Sequence, residues 1–438
     1  MKISRRQLVL GGSAAITAPG IAGLVAGQKG VEVNALRDQS LWTTQVSSLP
    51  TFPQLDANRT VDLAVIGGGY TGLSCAYYVK TLRPEWNVVV LESHEVGSGA
   101  SSRNTGAVYA KHVGVSDQGF ADRGLDRLRK FIDDQAIDCD FEPAPTLMFT
   151  GSKTPPQLAA GESWLGQGEL QERIGSDYYK GAILSQNFFK IQPAKLLAGH
   201  VNAAVGVGVE IFERSPALQV NPGNTVKIDT TTGMLRASQV MVATNAYTPR
   251  LGLYECGMYP LHQYSLATRK LSASEIKHFG LDQTTLRFEQ NILPVTFSIT
   301  PTGHFFLRMV LGYASFDSQI WKDSRGAKAL AQLLFEQRYP GASDLQPNFG
   351  WHGVTGHTPL FKPIFGTLGD GNIHVSVAYN GLGIMPAHNS GFLSASRICG
   401  EADADISILE AASSSTPFPG DFYRSLMLKP VMNALMPV

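Results

Sequence analysis

Residues 61–72, which read VDLAVIGGGYTG, decide the fold of this chain. The run at 61–66 is apolar and rich in β-branched side chains, as in a buried parallel strand, and Gly67, Gly68, Gly69 and Gly72 follow it at once. Residues 73–82 continue with the apolar spacing of a helix, which Pro84 ends, and residues 87–91 form a second strand-like run. The order of these segments predicts a βαβ unit.

The glycines of this unit predict a phosphate-binding turn. Gly67 allows the tight turn, Gly69 lets a pyrophosphate approach the backbone, and Gly72 lets the helix pack on the strand. The helix N-terminus offers N–H groups to the phosphates. Glu92 stands twenty residues beyond Gly72, at the end of the second strand, where a carboxylate accepts hydrogen bonds from ribose hydroxyls. Spaced glycines alone are a weak signal, but with these neighbours they predict a bound dinucleotide.

The next segment, 97–106 (GSGASSRNTG), indicates which dinucleotide is bound. Its small residues permit close contact with a flat ring, and Ser101, Arg103 and Asn104 offer polar groups to phosphates or to the ring. Here the sequence resembles the glycine and D-amino-acid oxidase superfamily of FAD enzymes, most closely its gamma-glutamylputrescine oxidase-like branch. In that family a loop of this composition runs beside the pyrophosphate and the flavin ring, so the resemblance implies FAD.

The resemblance continues from about Leu41 to Gly400 through short motifs in the family's order. It implies noncovalent FAD, because the family's attachment sites, a histidine near this loop or a cysteine in the C-terminal flavin segment, have no match here. The residues assigned to the cofactor are Gly67, Gly69, Tyr70, Thr71, Gly72, Glu92, Ser93, Ser98, Ala100, Ser101, Arg103, Asn104, Thr105, Gly106, Ala217, Ala243, Thr244, Asn245, Gly381, Gly383 and Ile384.

The resemblance also implies the architecture, an α/β fold in which a Rossmann-like FAD-binding domain is interleaved with an α+β substrate domain on a mostly antiparallel sheet. Strand-like runs at 294–300 and 304–310 fit that sheet, and 422–435 is a C-terminal helix candidate expected to pack on the body. The predicted boundaries are 60–112, 185–250 and 345–410 for the FAD-binding domain, 113–184 and 251–344 for the substrate domain, 31–59 for a connecting arm, and 411–438 for a C-terminal tail.

The reaction that the resemblance implies is oxidation of a carbon–nitrogen bond. Hydride leaves the carbon that bears the amine for the flavin, and water hydrolyses the imine to an aldehyde. Because the flavin supplies the difficult chemistry, a dedicated base is not required, and no catalytic residue is assigned. Arg308, His352 and His357 are candidates for the substrate pocket.

The residues after Gly353 depart from the family pattern. Relatives that oxidise amino acids often carry an arginine there, which holds the substrate carboxylate through two hydrogen bonds. This chain has Val354, Thr355 and Gly356 instead. The departure favours an amine substrate, such as a gamma-glutamylputrescine-like one. The rival interpretation is that another cation, such as Arg308, holds a carboxylate, which would make the protein an N-methyl or D-amino-acid oxidase or dehydrogenase.

A third interpretation is a flavoprotein that acts on a protein partner. The 36 basic and 36 acidic residues cancel, so the charge does not predict a nucleic acid or an anionic membrane as partner. The four cysteines form no C-x-x-C pair and the histidines show no ligand spacing, so no metal is expected. The expected partners are a small amine substrate and an electron acceptor, which would be oxygen, a quinone or a cytochrome.

The first thirty residues are typical of an export signal. Arg5 and Arg6 precede a weakly apolar, glycine- and alanine-rich run at 8–26, which Pro19 interrupts. Such a run is a poor membrane-spanning helix, and it resembles a twin-arginine signal peptide. Because that route carries folded proteins, it suits a protein that binds its cofactor before export. We therefore expect a periplasmic mature protein without an integral membrane segment.

Overall fold

The computed structural model describes residues 40–46, 49–289, 295–314, 324–339, 345, 347–420 and 423–427. The predicted export signal and most of the 422–435 helix candidate lie outside these residues.

The strands are β1 (Arg59–Ile66), β2 (Val88–Leu91), β3 (Ala107–Tyr109), β4 (Glu142–Pro143), β5 (Thr146–Thr150), β6 (Glu162–Gly166), β7 (Gly181–Ser185), β8 (Phe188–Lys190), β9 (Glu210–Phe212), β10 (Gln219–Asn221), β11 (Val226–Asp229), β12 (Met234–Val242), β13 (Tyr259–Lys270), β14 (Leu286–Glu289), β15 (Thr296–Ile299), β16 (His304–Tyr313), β17 (Pro347–His357), β18 (Ile364–Leu368) and β19 (Ile373–Val377). The helices are α1 (Leu41–Thr44), α2 (Tyr70–Leu82), α3 (Gln118–Asp134), α4 (Gln167–Ile174), α5 (Pro193–Gly206), α6 (Ala273–His278), α7 (Ser324–Arg338), α8 (Ile384–Cys399) and α9 (Ala404–Ala412), with short 3-10 helices at Ala100–Ser102 and Asn245–Leu251.

The first sheet has eight strands with a parallel centre. Its order is β10-β11-β12-β1-β2-β9, with β19 beside β12 and β18 beside β19. β1 pairs in parallel with both β2 and β12. Every residue of β2 is buried, as expected for a strand that is covered on both faces. The predicted βαβ unit is confirmed as β1, α2 and β2.

Helix α2 is held against the first sheet by α8. A Cβ atom at Gly391 of α8 would lie 2.6 Å from the carbonyl oxygen of Thr71, so only glycine permits this approach. Leu63, Leu73 and Val79 are fully buried in the cluster that the sheet and these helices share. Burying an aliphatic side chain of this size stabilises a fold by roughly 1.5–3 kcal/mol.

The second sheet has eight strands in the order β17-β13-β16-β15-β14-β5-β7-β6. Every neighbouring pair is antiparallel except β14 with β5, so the predicted mostly antiparallel sheet is confirmed. The predicted runs at 294–300 and 304–310 correspond to β15 and β16. One face is covered by α7, where Phe335 stacks on Phe305 with ring centroids 4.0 Å apart.

Strand β17 belongs to this second sheet, along the edge of β13. The predicted boundary at residue 345 instead places the segment in the FAD-binding domain, and the boundaries as a whole stay a prediction. A third sheet, β3-β8-β4, was not predicted. Tyr109 of β3 stacks there on Phe188 of β8, with centroids 4.3 Å apart. These strands are too short to carry a periodic signal.

Two peripheral segments are anchored by buried polar contacts. Trp42 in the predicted connecting arm donates from Nε1 to the carbonyl of Asn104 over 2.8 Å. Arg424 in the tail is fully buried and donates to the carbonyls of Met258 and, over 2.7 Å, Glu255. Within the described parts of the chain, no helix has the length and apolar character needed to cross a bilayer.

Candidate functional site

Three glycines let the chain pass closely around the N-terminus of α2. Gly67 has φ +113°, and a Cβ atom there would lie 2.8 Å from the carbonyl oxygen of Ala243 in the segment after β12. A Cβ atom at Gly72 would overlap the carbonyl oxygen of Gly67, and one at Gly69 would lie 2.9 Å from Ser101 Oγ. Each glycine thus removes an obstacle at a different contact. For Gly67 and Gly72 these are the turn and the helix packing that the spacing predicts, and the pyrophosphate contact of Gly69 stays a prediction.

Glu92 lies at the carboxyl end of β2, beside this turn. One carboxylate oxygen accepts from the backbone N–H of Gly68 over 3.0 Å. The other accepts from the backbone N–H of His94 and from the Ser93 hydroxyl, over 3.0 and 3.1 Å. These bonds fix the carboxylate at the position where the sequence predicts a ribose contact, and two carboxylate oxygens keep further acceptor capacity.

The 97–106 loop is shaped by its own side chains. Ser101 Oγ accepts from the backbone N–H of Tyr70 over 3.1 Å, which ties the loop to the start of α2. Asn104 donates to the carbonyls of Ala100 and Ser101 and accepts from the N–H of Gly106 over 2.9 Å. The Asn104 amide therefore serves the loop conformation in addition to any ligand contact.

A single cavity of about 360 Å³ connects the turn, Glu92 and the loop, and we call it the dinucleotide cavity. A volume of this size is typical of small-molecule and cofactor sites. The predicted cofactor residues that line it are Gly67, Gly69, Tyr70, Thr71, Glu92, Ser93, Ser98, Ala100, Ser101, Asn104, Thr105, Ala217, Ala243, Thr244, Asn245, Gly381, Gly383 and Ile384.

Gly72, Arg103 and Gly106 are the predicted cofactor residues that do not line the dinucleotide cavity. Gly72 and Gly106 lie where a side chain would overlap a backbone carbonyl, that of Ile191 in the case of Gly106. Arg103 is buried and donates to the carbonyl of His352 over 3.1 Å. The arginine of the loop therefore hydrogen-bonds to β17, and its contact with the cofactor stays a prediction.

The cavity continues under the second sheet, where Val354, Thr355 and Gly356 of β17 line it. A Cβ atom at Gly356 would lie 2.9 Å from Asn245 Oδ1, so a glycine is needed for this approach. The sequence prediction places these three positions near the substrate without assigning them as site residues, and it does not assign Tyr247 in the 3-10 helix at Asn245–Leu251. Tyr247 is two residues beyond the predicted Asn245, in the run ATNAY at 243–247, so its neighbours carried a usable signal.

His357 is connected to the cavity through Thr355 but does not line it. Gln263 Nε2 donates to Thr355 Oγ1 over 2.6 Å, and Thr355 Oγ1 lies 2.9 Å from His357 Nε2. Burial lowers the pKa of His357 to about 3, and the positive charge of Arg308 contributes to the decrease. His357 is therefore a neutral imidazole at physiological pH.

His352 lies away from the cavity. Its Nδ1 is 2.8 Å from His262 Nε2, and the two rings stack with centroids 4.9 Å apart. Burial lowers the pKa of His352 to about 4, with a smaller contribution from the Arg103 charge. The pair joins β13 to β17, which is a structural role, and His262 Nδ1 has no hydrogen-bond partner among the described residues.

Arg308, the third candidate, lies in β16 and does not line the dinucleotide cavity. Its side chain is buried, and burial lowers the pKa of its guanidinium to about 10. The Arg308 charge thus acts on His357, whereas His352 pairs with His262.

The dinucleotide cavity holds few groups that could exchange a proton. Among the described residues that line it, Glu92 is the one carboxylate, and it lies at the β2 end, away from β17. The Tyr379 hydroxyl is 2.7 Å from Thr71 Oγ1, and burial raises its pKa to about 12. In the same described part of the chain, no group of three His, Cys, Asp or Glu side chains is placed to hold a metal ion.

A glycine turn with a carboxylate at the end of the second strand, continued under an antiparallel sheet, is typical of a dinucleotide-dependent enzyme. The particular family follows from comparison. The chain belongs to the DAO family, described as FAD dependent oxidoreductase, whose model matches residues 62–397. The protein is thus an FAD-dependent enzyme, as the sequence motifs predict.

Known proteins similar to this chain include enzymes of amine and amino-acid oxidation. Gamma-glutamylputrescine oxidoreductase of Escherichia coli (strain K12) is 26% identical over 411 residues, covering 87% of this chain and 93% of the relative. Glycine oxidase from Geobacillus kaustophilus superposes with a TM-score of 0.66 at 17% identity, covering 82% of this chain and 100% of that one. L-proline dehydrogenase from P. horikoshii superposes with a TM-score of 0.65 at 16% identity, covering 82% of this chain and 98% of that one. The two structures show that the fold is shared.

Proposed function

We propose that the protein oxidises the carbon–nitrogen bond of an amine to an imine, which water hydrolyses to an aldehyde. The supporting observation is that one cavity runs from Glu92 at the end of β2 to Thr355 and Gly356 of β17. The predicted pyrophosphate turn and the β17 wall therefore border the same cavity, so a cofactor bound at the turn would extend toward a substrate at β17. The similarity to gamma-glutamylputrescine oxidoreductase supports an amine as the substrate.

The residues present fit FAD. A side chain at Gly69 would fill the cradle in front of the α2 N-terminus, where the pyrophosphate would lie. Glu92 would hold the ribose, and Ser101 and Thr105 would face the loop side of the cofactor. When bound, FAD accepts the hydride from the carbon next to the nitrogen.

At the β17 end of the cavity, the protein would orient the substrate and shield it from water. Val354 packs with Ala246 and Tyr247, an apolar contact that keeps water from that wall. No carboxylate competes there for the substrate amine among the described lining residues. An uncharged amine would be held against the cofactor by contact area and hydroxyl groups such as that of Thr355.

Anaerobic reduction of the bound flavin by a panel of amines tests this proposal. We expect rapid bleaching with alkyl amines or acylated diamines. Reduction by D-alanine and sarcosine should be at least about 100-fold slower, the usual effect of a missing charged partner for a carboxylate. Failure of every amine to reduce the flavin would contradict the proposed function.

Oxidation of an N-methyl or D-amino acid is the second candidate, and the buried Arg308 is the observation that favours it. This function requires a cation next to the reacting carbon. Rates with sarcosine or D-alanine that equal those of the best alkyl amine would favour it over the first.

We also propose that FAD is bound noncovalently. The histidine that lines the described cavity is His94, whose ring is hydrogen-bonded to Ser93 beside the predicted ribose site. None of the described lining residues is a cysteine. Acid or heat denaturation should release intact FAD into the supernatant. Flavin fluorescence that stays with the denatured polypeptide would contradict this proposal.

The electron acceptor, which would be oxygen, a quinone or a cytochrome, can be identified by comparing oxygen uptake with dye reduction during turnover.

A further inference from the structure

Tyr379 joins two distant segments of the chain that both border the dinucleotide cavity. It lies in the turn between β19 and α8, and it lines the cavity. Its hydroxyl is 2.7 Å from Oγ1 of Thr71, the second residue of α2, which is 308 positions earlier in the chain. Thr71 lines the same cavity. A hydrogen bond between two side chains therefore connects the turn before α8 to the N-terminus of α2.

The backbone around Tyr379 is fixed in an unusual conformation. Ala378 and Asn380, on either side of it, have φ angles of +65° and +54°, which residues other than glycine rarely adopt. The N–H of Ala378 donates to Asn245 Oδ1 over 3.2 Å, and the N–H of Asn380 donates to the carbonyl of Gly356 over 3.3 Å. Strained residues persist where the surrounding structure holds them, and they are concentrated at functional sites. Because Asn245 and Gly356 line the cavity, the cavity wall itself sets the position of Tyr379.

The Tyr379 hydroxyl has one proton to donate. Burial raises its pKa to about 12, so the hydroxyl keeps this proton at physiological pH. The distance of 2.7 Å to Thr71 Oγ1 is the usual length of an O–H···O hydrogen bond, and either hydroxyl of this pair can be the donor. Ser376 Oγ and the Ser376 carbonyl oxygen lie farther away, at 3.0 and 3.2 Å. Thr71 is thus the nearest acceptor for the Tyr379 proton among these three oxygens.

Thr71 is well placed to meet a phosphate. It lies in the first turn of α2, whose N–H groups and dipole favour an anion in front of the helix. The contact with Tyr379 is the one hydrogen bond that Thr71 Oγ1 forms among the described residues. A hydroxyl carries one proton and two lone pairs, whereas an ionised phosphate oxygen only accepts. A bound pyrophosphate would therefore select the arrangement in which Thr71 donates to the phosphate and accepts from Tyr379.

We propose that Tyr379 donates to Thr71 Oγ1 and thereby holds the Thr71 hydroxyl proton toward the FAD pyrophosphate. Tyr379 is in this sense a positioning residue, which acts on the cofactor through Thr71. The inference rests on the predicted position of the pyrophosphate at the N-terminus of α2. It concerns the cofactor and no substrate, so it stands or falls independently of the proposed amine oxidation.

The rate at which the diluted FAD-loaded enzyme releases its flavin, followed by the rise in flavin fluorescence, tests the proposal. Tyr379→Phe should release FAD about tenfold faster, the usual effect of losing one hydrogen bond that supports a charged group. Tyr339→Phe is the matched control, because Tyr339 is also buried and its hydroxyl has no hydrogen-bond partner among the described residues. This control should release FAD at the wild-type rate. An equal rate in Tyr379→Phe and the wild type would overturn the proposal.

A double-mutant cycle shows whether Tyr379 acts through Thr71. Thr71→Val should also release FAD about tenfold faster, and adding Tyr379→Phe to it should change the rate no further. Thr71→Ser keeps the hydroxyl, so it should stay near the wild-type rate and should still respond to Tyr379→Phe. Independent effects, which would make the double variant release FAD about 100-fold faster, would overturn the proposal because Tyr379 would then act by another route.

Phosphorus NMR of the bound FAD separates positioning from a purely structural role. Tyr379→Phe and Thr71→Val should move the same pyrophosphate resonance, and Tyr339→Phe should move neither resonance. A pyrophosphate spectrum unchanged in Tyr379→Phe, together with a lower midpoint of thermal unfolding, would show that Tyr379 only stabilises its turn. Should Tyr379→Phe fail to fold, Thr71→Val and Thr71→Ser still decide, since equal FAD release by these two variants would overturn the proposal.

Discussion

At the scale of single residues, the N-terminus of α2 depends on the absence of one side chain. Gly69 precedes the helix with extended backbone, so its conformation is open to any residue. What excludes other residues is space, because Ser101 Oγ lies 2.9 Å from the place of a Cβ atom and the cavity lies beyond. Substitutions at Gly69 are therefore expected to act on cofactor binding more than on backbone strain.

Gly69→Leu should abolish FAD retention, because its side chain would occupy the space in front of the α2 N–H groups. We expect the ratio of flavin to protein in the purified variant to fall below about a tenth of the wild-type ratio, a loss of at least one power of ten. Gly168→Leu is a matched control, since Gly168 lies exposed in α4 with nothing within 4 Å of an added Cβ atom. A fully loaded Gly69→Leu protein would show that the pyrophosphate lies elsewhere.

The sequence predicts the residues of this turn because strand, glycines, helix and Glu92 are close together along the chain. Arg103 shows the opposite case. The composition of the 97–106 loop favours a phosphate contact for this arginine, but the Arg103 guanidinium donates to the carbonyl of His352, some 250 positions later in the chain. That Arg308 Nε has no hydrogen-bond partner among the described residues was equally beyond reach, because it depends on which strands border β16.

At the scale of elements, the segment between β3 and α3 is held by a buried histidine. His112 is 3% exposed, its Nδ1 donates to the carbonyl of Val113 over 3.2 Å, and its ring meets Phe120 of α3 edge to face. Burial lowers the pKa of His112 to about 4, and the Val113 hydrogen bond only partly offsets this. The imidazole is therefore neutral in the fold over most of the acidic range.

Protonation of His112 should destabilise the protein between pH 6.5 and about 4. In that range the unfolded chain binds a proton at this residue and the folded chain does not, so the free energy of unfolding falls as the pH falls. From pH 7 to 4.5 the wild type should lose roughly 2 kcal/mol more than His112→Phe, measured by urea unfolding. Exposed His278 provides the control His278→Gln, which should follow the wild type. Parallel curves for the wild type and His112→Phe would contradict the prediction.

The sequence predicts that a strand or helix exists where that segment has its own periodic pattern. It does not predict which sheet a strand joins. β15 and β16 are apolar runs that the sequence identifies. β17 has glycines at 350, 353 and 356 and no clear alternation, so only its pairing with β13 assigns it to the second sheet. Gly350 and Gly356 are required by the close approach of Tyr264 and Asn245, contacts that no local pattern encodes.

At the scale of the whole molecule, folding, cofactor binding and export are linked in our proposal. The dinucleotide cavity is assembled from β1, β2, the β12 end and β17, so it exists only when distant parts of the chain have come together. A twin-arginine signal would carry the chain after this assembly. We propose that the mature protein acts in the periplasm.

Replacement of both Arg5 and Arg6 by lysine should leave the protein in the cytoplasm. The reason is that the arginine pair is the feature that distinguishes the predicted signal from an ordinary weakly apolar N-terminus. Cell fractionation and immunoblotting measure the outcome, with Arg59→Lys in β1 as the control. Normal periplasmic levels of the double lysine variant would remove the twin-arginine interpretation. Cytoplasmic retention of Gly69→Leu would further indicate that FAD binding precedes export.

Gln263, Thr355 and His357 are joined by a chain of hydrogen bonds. Gln263 Nε2 donates to Thr355 Oγ1, and Thr355 Oγ1 lies 2.9 Å from His357 Nε2, where either atom can be the donor. Because burial lowers the pKa of His357 to about 3, this imidazole is a poor acceptor for a proton from a substrate. The pH at which turnover begins should accordingly belong to the substrate, moving with the basicity of each amine supplied while the enzyme stays the same.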